Sequence, residues 1–389
     1  MNFRMPESVI ELAQALVRIP SVNPDGDPGT ASIGEEVCAR YIASFLEAAG
    51  AEAFLDEVEP GRPNVIGRFP ATPAPDGQRK PRIVFGPHTD TVSVGGMTID
   101  PFGGEIREGR LWGRGASDTK GTMATMLWAL WVMRKEIPDL AVEVHFAGFM
   151  SEESAQLGSQ HFAKHHGPYD LALVGEPTEL QIVHKHKGCV WADVITTGVA
   201  CHGATPERGV NAIVKMATLI EALDTTFRTE LAAADSDAVL GHSTINLGMI
   251  NGGTRSNIVA DQCTLRVDMR VTPGLLTKGG GLQLLETFVT KLDPTASVKL
   301  SSQAHALDTD ANQPGIRKLQ QCGAGLVGAP WFCDAAFLAA GGTPAIAIGP
   351  GSIAQAHTKD EFIAIADLEA GAAFFTDFLK SLTTWDVNA

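Results

Sequence analysis

A chain of 389 residues exceeds what one ordinary hydrophobic core supports and predicts at least two domains. Its formal net charge of −15 excludes a nucleic-acid binder, which needs a basic face, and 44% hydrophobic content describes a globular chain. No apolar run is long enough to span a bilayer, so a membrane partner is not expected.

Taken in chain order, residues 6–18 read as an amphipathic helix rather than a signal peptide, because Pro6, Glu7 and Glu11 interrupt any apolar core. A loop covers 19–24. A second amphipathic helix runs from Gly34 to Ala49 and stops at Gly50, a glycine C-terminal cap. Asn64 to Arg68 reads as a strand and Pro70 to Pro81 as a polar connector. Ile83-Val84-Phe85 is a buried strand halted by Gly86-Pro87, with His88 and Asp90 directly after it. Leu111 to Asp118 is a glycine-punctuated loop before a strong helix from about Thr119 to Lys135. Ala141 to Met150 is a strand that ends at Ser151-Glu152-Glu153. Ser159 to His165 is a short helix, and the buried strand Leu171 to Val174 ends at Gly175-Glu176-Pro177.

The middle of the chain changes rhythm. Strands over Cys189–Thr197, Thr244–Ile250, Ile258–Val271 and Ser297–Leu300 alternate with helices over Asn211–Leu231 and Leu276–Leu292. That β-α-β-β-α-β order is the ferredoxin-like split motif, an α+β domain over 189–302 inserted between two halves, 1–188 and 303–389, of the first. Beyond it, Pro344 to Ile348 is a last buried strand, followed by Gly349-Pro350-Gly351, then His357, and a final helix from about Ala366 to Leu382. The first domain is thus expected to be a helix-flanked mixed α/β sheet.

Acids and imidazoles follow the strands and loops of that first domain. His88 can offer one ring nitrogen to a metal while Asp90 takes the proton of the other. Asp118 reads either as a helix N-cap or as a carboxylate shared by two cations. Glu152 and Glu153 repel unless solvent or a cation relieves them; one can bind metal while its neighbour serves as general base. Glu176 is a turn residue or a ligand, and His357 a surface histidine or a ligand. Together His88, Asp118, Glu153, Glu176 and His357 form a nitrogen and oxygen donor set without thiolate, suited to Zn²⁺, with Co²⁺ or Mn²⁺ as alternatives.

Other signals are discounted. Gly323-Ala-Gly325-Leu-Val-Gly328 matches a dinucleotide fingerprint without its preceding strand. His165-His166 and His184-Lys185-His186 read as surface positions on a helix and a strand, and Trp128 and Trp131 as core. No Gly-x-Ser-x-Gly elbow supplies a serine nucleophile. The six cysteines form no Cys-x-x-Cys pair, so reduced thiols and a cytoplasmic location are the expectation.

Five motifs, Gly-Pro-His88-Thr-Asp90-Thr-Val, Gly-Arg-Gly-Ala-Ser-Asp118-Thr-Lys-Gly, Ser-Glu152-Glu153-Ser, Gly-Glu176-Pro-Thr and Gln-Ala-His357-Thr-Lys-Asp-Glu-Phe, occur in order over nearly the whole chain. In this combination the chain resembles the M20 metallopeptidase family, and its last motif is most similar to the acetylornithine deacetylase branch. The resemblance implies a zinc-peptidase type catalytic domain with an inserted lid and dimerisation domain, and two metal ions. His88 and Glu176 would complete one metal site, Glu153 and His357 the other, with Asp118 bridging. Glu152 would be the general base and Asp90 would orient His88. His202, in Cys-His-Gly-Ala-Thr-Pro-Glu-Arg-Gly, would reach across a homodimer to polarise the scissile carbonyl, and Asn257 and Arg270 would hold the substrate carboxylate.

The implied reaction is hydrolysis of an N-acyl amino acid. A dipeptidase or carboxypeptidase of the family, or a non-catalytic binding homologue, are the alternatives. Two departures stand out: Ser151 replaces an aspartate common before the glutamate pair, and Trp331-Phe332-Cys333-Asp334 replaces a small, Gly-Thr-Asp-like approach to the active-site loop.

Overall fold

The computed structural model describes residues 3–25, 33–74 and 77–385, in two compact units. The first contains the chain up to His184, Thr309–Val327 and everything described from Cys333 onward; the second contains Lys185–Asp308 and Gly328–Phe332.

The first unit is built on a mixed sheet of β1 (Glu52–Glu59), β2 (Arg62–Arg68), β3 (Arg82–Pro87), β4 (Glu143–Gly148), β5 (Leu171–Gly175) and β6 (Ala345–Ala347). Their spatial order is β1-β2-β4-β3-β5-β6. β3, β4, β5 and β6 run parallel, whereas β2 is antiparallel to both β1 and β4. Parallel strands covered on both faces read as unbroken apolar runs, and Ile83, Val84 and Phe85 are fully buried. The helix Lys120–Val132 is apolar on every side and nearly all buried, so it lies inside the layer rather than on it. The closing helix Ile365–Ser381 packs against it. Phe375 and Phe378 also meet Phe85 edge-on, at ring distances of 5.9 and 6.3 Å.

The second unit is a four-stranded antiparallel sheet in the order Thr244–Gly252, Gln262–Val271, Gly188–Thr197, Ser297–Ala304. Val190, Ala192 and Val194 alternate with more exposed neighbours and bury one face, as do Cys263, Leu265, Val267, Met269 and Val271. The helices Ala212–Ala222 and Gly280–Leu292 join the same core through Met216, Leu219, Leu285 and Val289. This is the split β-α-β-β-α-β arrangement.

Several local expectations change. β1 is a strand absent from the sequence reading, because its charged residues mask a partly exposed edge. Leu111 and Trp112 belong to the strand Arg110–Trp112, paired with Glu105–Arg107 and Phe362–Ala364. Asp118 is not the helix cap: Thr119 holds that position, and its side chain makes no capping bond. His184 and His186 are buried, not surface residues.

Candidate metal centre

Three adjacent parallel strands deliver the cluster. β4, β3 and β5 lie side by side, and each passes its acid or imidazole out at its carboxyl end, where open α/β sheets place ligands. His88 follows β3 and forms an isolated parallel bridge with Phe149, just before Glu152 and Glu153. Pro87 pairs with Gly175, which sets Glu176 beside His88. Asp118 comes from the glycine loop before the buried helix. His357 comes from the loop after β6, with φ of 58°, a left-handed conformation that costs a non-glycine residue energy.

Asp118 faces both imidazoles. Its Oδ1 lies 3.0 Å from His88 Nε2 and its Oδ2 3.5 Å from His357 Nε2, while Glu153 Oε2 is 3.0 Å from the same His357 nitrogen. Donor atoms of His88, Asp118 and Glu153 all fall within 4.8 Å of one another. His88 Nδ1 finds the Asp90 main-chain carbonyl at 2.9 Å, nearer than the Asp90 carboxylate at 3.7 Å. That carboxylate accepts instead from the Glu152 N–H at 3.0 Å, the Glu153 N–H at 3.1 Å and Asn23 Nδ2 at 2.7 Å. Asp90 therefore anchors the glutamate pair as well as flanking the histidine.

The cluster carries more buried negative charge than its imidazoles can balance. Burial, then Glu176, pushes Glu152 well up; burial, then Asp118, pushes Glu176 well up. Burial and Asp118 together bring Glu153 to about 7. Burial pulls His88 down, but its bonds to Asp118 and Asp90 outweigh that and leave it well above its ordinary value. Glu153 Oε1 and Glu176 Oε1 are buried with no hydrogen-bond partner among the described residues. Unsatisfied carboxylate oxygens are costly away from water, and divalent cations relieve that cost. The residues therefore fit such ions.

Three supporting groups lie in stretches the sequence reading singled out but were given no role there. Asp334 is fully buried, accepts from Ser159 Oγ at 2.5 Å, and is brought to about 7 by its burial. Arg114 and Glu361 form a buried ion pair at 2.9 Å beneath the Asp118 loop. The available signal was a charge set among apolar neighbours, as in Glu361-Phe-Ile-Ala-Ile.

The second unit holds the other three candidates. His202 and Asn257 are neighbours on its exposed loops: the Gly203 N–H donates to the Asn257 carbonyl at 2.8 Å, and His202 Nδ1 accepts from the Ala204 N–H at 3.0 Å. Arg270 lies elsewhere, near the end of Gln262–Val271, paired with Asp268 at 2.9 Å and stacked over the Phe332 ring at 5.2 Å.

An imidazole and carboxylate cluster at the carboxyl end of a mixed sheet, with oxygens left open, is the donor set of a candidate metal centre. Residues 84–381 match the family described as Peptidase family M20/M25/M40, and the chain belongs to it. It is accordingly a metallohydrolase of amide or peptide bonds. It is similar to an acetylornithine deacetylase of Proteus mirabilis (strain HI4320), 32% identical over 382 residues that cover 95% of each chain. Another acetylornithine deacetylase, of Edwardsiella ictaluri (strain 93-146), is 29% identical over 93% of this chain and 94% of its own. In fold the chain is similar to a tripeptidase of Staphylococcus aureus, with TM-score 0.76, 20% identity and coverage of 96% and 98%. It is likewise similar to a Bacillus subtilis protein described as a dinuclear metal binding peptidase, with TM-score 0.71, 14% identity and coverage of 97% and 98%. Among the described residues no helix is long and apolar enough to cross a membrane.

Proposed function

We propose that this chain is a deacylase that cleaves the amide bond of an N-acyl amino acid, like the acetylornithine deacetylases it resembles over most of its length. The observation that carries the reading is Asp118, whose two oxygens face two imidazoles inside a buried carboxylate cluster. His88 and Glu176 would hold one divalent cation, Glu153 and His357 a second, and Asp118 both. Zn²⁺ is the first choice, with Co²⁺ or Mn²⁺ as alternatives. Such a pair supplies Lewis-acid polarisation of the scissile carbonyl and lowers the pKa of the attacking water.

Glu152 is the general base. It is half-buried beside the cluster, its main-chain N–H is fixed by Asp90, and its raised proton affinity suits a group that takes a proton and returns it. It removes the proton of the attacking water and delivers it to the leaving amine. Asp90 acts as a positioning residue for both His88 and Glu152.

His202 is a donor to the developing oxyanion. Because Nδ1 accepts the Ala204 N–H, the ring proton sits on Nε2, where it can donate. Asn257 and Arg270 hold the substrate carboxylate, Arg270 through its planar fork. His202 and Asn257 share one loop pair while Arg270 lies near the far end of a 10-residue strand, so two copies of the chain, each lending different groups, account for the set better than one. The working form is a homodimer joined through the inserted unit. Among the described residues no disulfide joins any of the six cysteines, which supports a cytoplasmic location.

A panel of N-acetyl and N-succinyl amino acids and dipeptides, offered to chelated protein with and without Zn²⁺ or Co²⁺, tests the reading. Metal-restored cleavage of the acyl amino acids supports the deacylase. Preference for dipeptides points to the peptidase alternative, and no cleavage with two metals bound would leave a binding homologue.

A further inference from the structure

The opposite end of the same strands carries a second cluster. Arg82 opens β3 and His88 follows its last residue, so the two ends are about 20 Å apart. Around Arg82 lies a cleft of about 540 Å³ whose wall includes Arg68, His145, His165, His166 and Tyr169, with Glu143 as its one carboxylate among the described residues. Arg68 closes β2 and faces His145 in β4, and Arg82 faces Glu143. Residues from three strands and the end of the helix Leu157–His166 therefore converge on one concave surface.

The two guanidiniums are underused. Arg82 donates through Nη2 to the Pro168 carbonyl at 2.5 Å and stacks over the Tyr169 ring at 4.7 Å, but its buried Nε has no acceptor among the described residues. Arg68 meets His166 Nδ1 at 3.4 Å and stacks over the Phe54 ring at 5.1 Å. Neither pairs with a carboxylate among the described residues, in a chain of net charge −15. The nearby acids are engaged elsewhere: Asp56 accepts from His166 at 2.9 Å and His161 at 3.2 Å, and Asp170 takes the Arg82 main-chain N–H at 2.8 Å and Arg79 at 3.2 Å. His145 reports the resulting field. Its burial, then Arg68, Arg82 and His166, bring it down to about 4, so its ring is neutral and bonded at 2.8 Å to the Tyr169 hydroxyl.

We propose that this cleft binds a small phosphate-bearing anion, inorganic phosphate or a phosphomonoester, through Arg68 and Arg82. Two guanidiniums with no carboxylate partner among the described residues, and the one donor left over from the bonded His145–Tyr169 pair, offer more donors than the two oxygens of one carboxylate can use, and match a dianion with three terminal oxygens. Phe69 and Ala71 line the same cleft and provide apolar wall for an organic body. The site is separate from the metal centre and does not depend on the reaction assigned there.

Isothermal titration of the metal-loaded protein with inorganic phosphate, and separately with glycerol 3-phosphate, tests this. Phosphate can also meet the metal centre, so the His357→Ala variant is titrated in parallel. Saturable binding is expected in wild type and in His357→Ala, with about tenfold or greater weakening in Arg68→Gln and Arg82→Lys. Tighter binding of the ester would place its organic body on the apolar wall; equal binding would confine recognition to the phosphate. Circular dichroism confirms folding, and Arg68→Gln alone suffices if Arg82→Lys does not fold. The proposal is overturned by no saturable heat in wild type, by arginine variants that bind as well as wild type, or by binding that disappears in His357→Ala alone.

Discussion

The main-chain N–H of Asp118 donates to Glu361 Oε1 at 2.9 Å. The same carboxylate also accepts from the Ser117 N–H at 2.7 Å, the Gly115 N–H at 2.9 Å and Arg114 Nη1 at 2.9 Å. One buried side chain thus fixes the loop that carries Asp118. Glu361→Gln should lower metal affinity about 10- to 100-fold, the usual effect of losing an outer-shell partner. It should also destabilise the fold by about 3 kcal/mol, because Arg114 is left buried without its partner. Metal titration and urea unfolding read the two effects separately; wild-type values in both would remove this role.

Glu152→Gln should keep both metals and lower kcat by about 10²- to 10⁴-fold, since the amide preserves shape but cannot accept the proton. Metal analysis beside steady-state kinetics checks this. A variant with substantial residual turnover would disprove the base assignment.

Chelation should abolish activity and also lower stability. Glu153 and Glu176 have buried side chains and Glu152 lies half-buried beside them, and without cations they lose the charge that balances them. Saturating metal at about a thousandfold over its Kd should restore roughly 4 kcal/mol per site. Thermal unfolding with and without Zn²⁺ measures it; identical curves would mean the cluster does not hold metal.

His145 predicts an acid limit to stability. The unfolded ring takes a proton near 6.5, the folded ring only near 4. The folded state therefore binds fewer protons between those values. The contribution is fully present above pH 6.5 and is lost as pH falls toward 4, by about 3 kcal/mol. His186, also held at about 4 by burial, adds to the same slope. Urea midpoints across this window should vary less in His145→Gln than in wild type, and equal slopes would contradict the assignment.

Complementation tests the contribution of His202 from a second copy. Glu152→Gln and His202→Ala should each be nearly inactive. If the proposed dimer is the working form, mixing and re-equilibration should give dimers in which one site has both an intact base and an intact partner histidine, with about a quarter of wild-type activity. No recovery from a mixture shown to exchange subunits would place His202 outside the partner's site.

The side-chain cluster was legible because several of its members follow a simple signal. Ile83 to Phe85 and Leu171 to Val174 are buried runs that end in turn residues, and the acids lie just past those turns. The sheet then aligns their carboxyl ends. The second unit was legible for a related reason: its strands alternate cleanly, as Val190, Ala192 and Val194 show. What was not legible is non-local. Glu361 lies between the charged Lys359-Asp360 and the apolar Phe362-Ile363, and only the fold buries it against a loop more than 200 residues earlier. Gly328–Phe332 joins the second unit with no break in composition to announce it. Arg68, Arg82 and His145 come from three strands, and their shared cleft exists only once β2, β4 and β3 pair.

The pairing of β5 with β6 joins Ala172 to Ala345. During synthesis β5 must wait for the whole inserted unit and the segment after it to emerge before its outer edge is covered. Closing so long a loop is slow, and the exposed edge is the stage most open to wrong association. His357 emerges later still. A nascent chain can present His88, Asp118, Glu153 and Glu176 before the last imidazole, so the candidate donor set is complete only after residue 357 has been made.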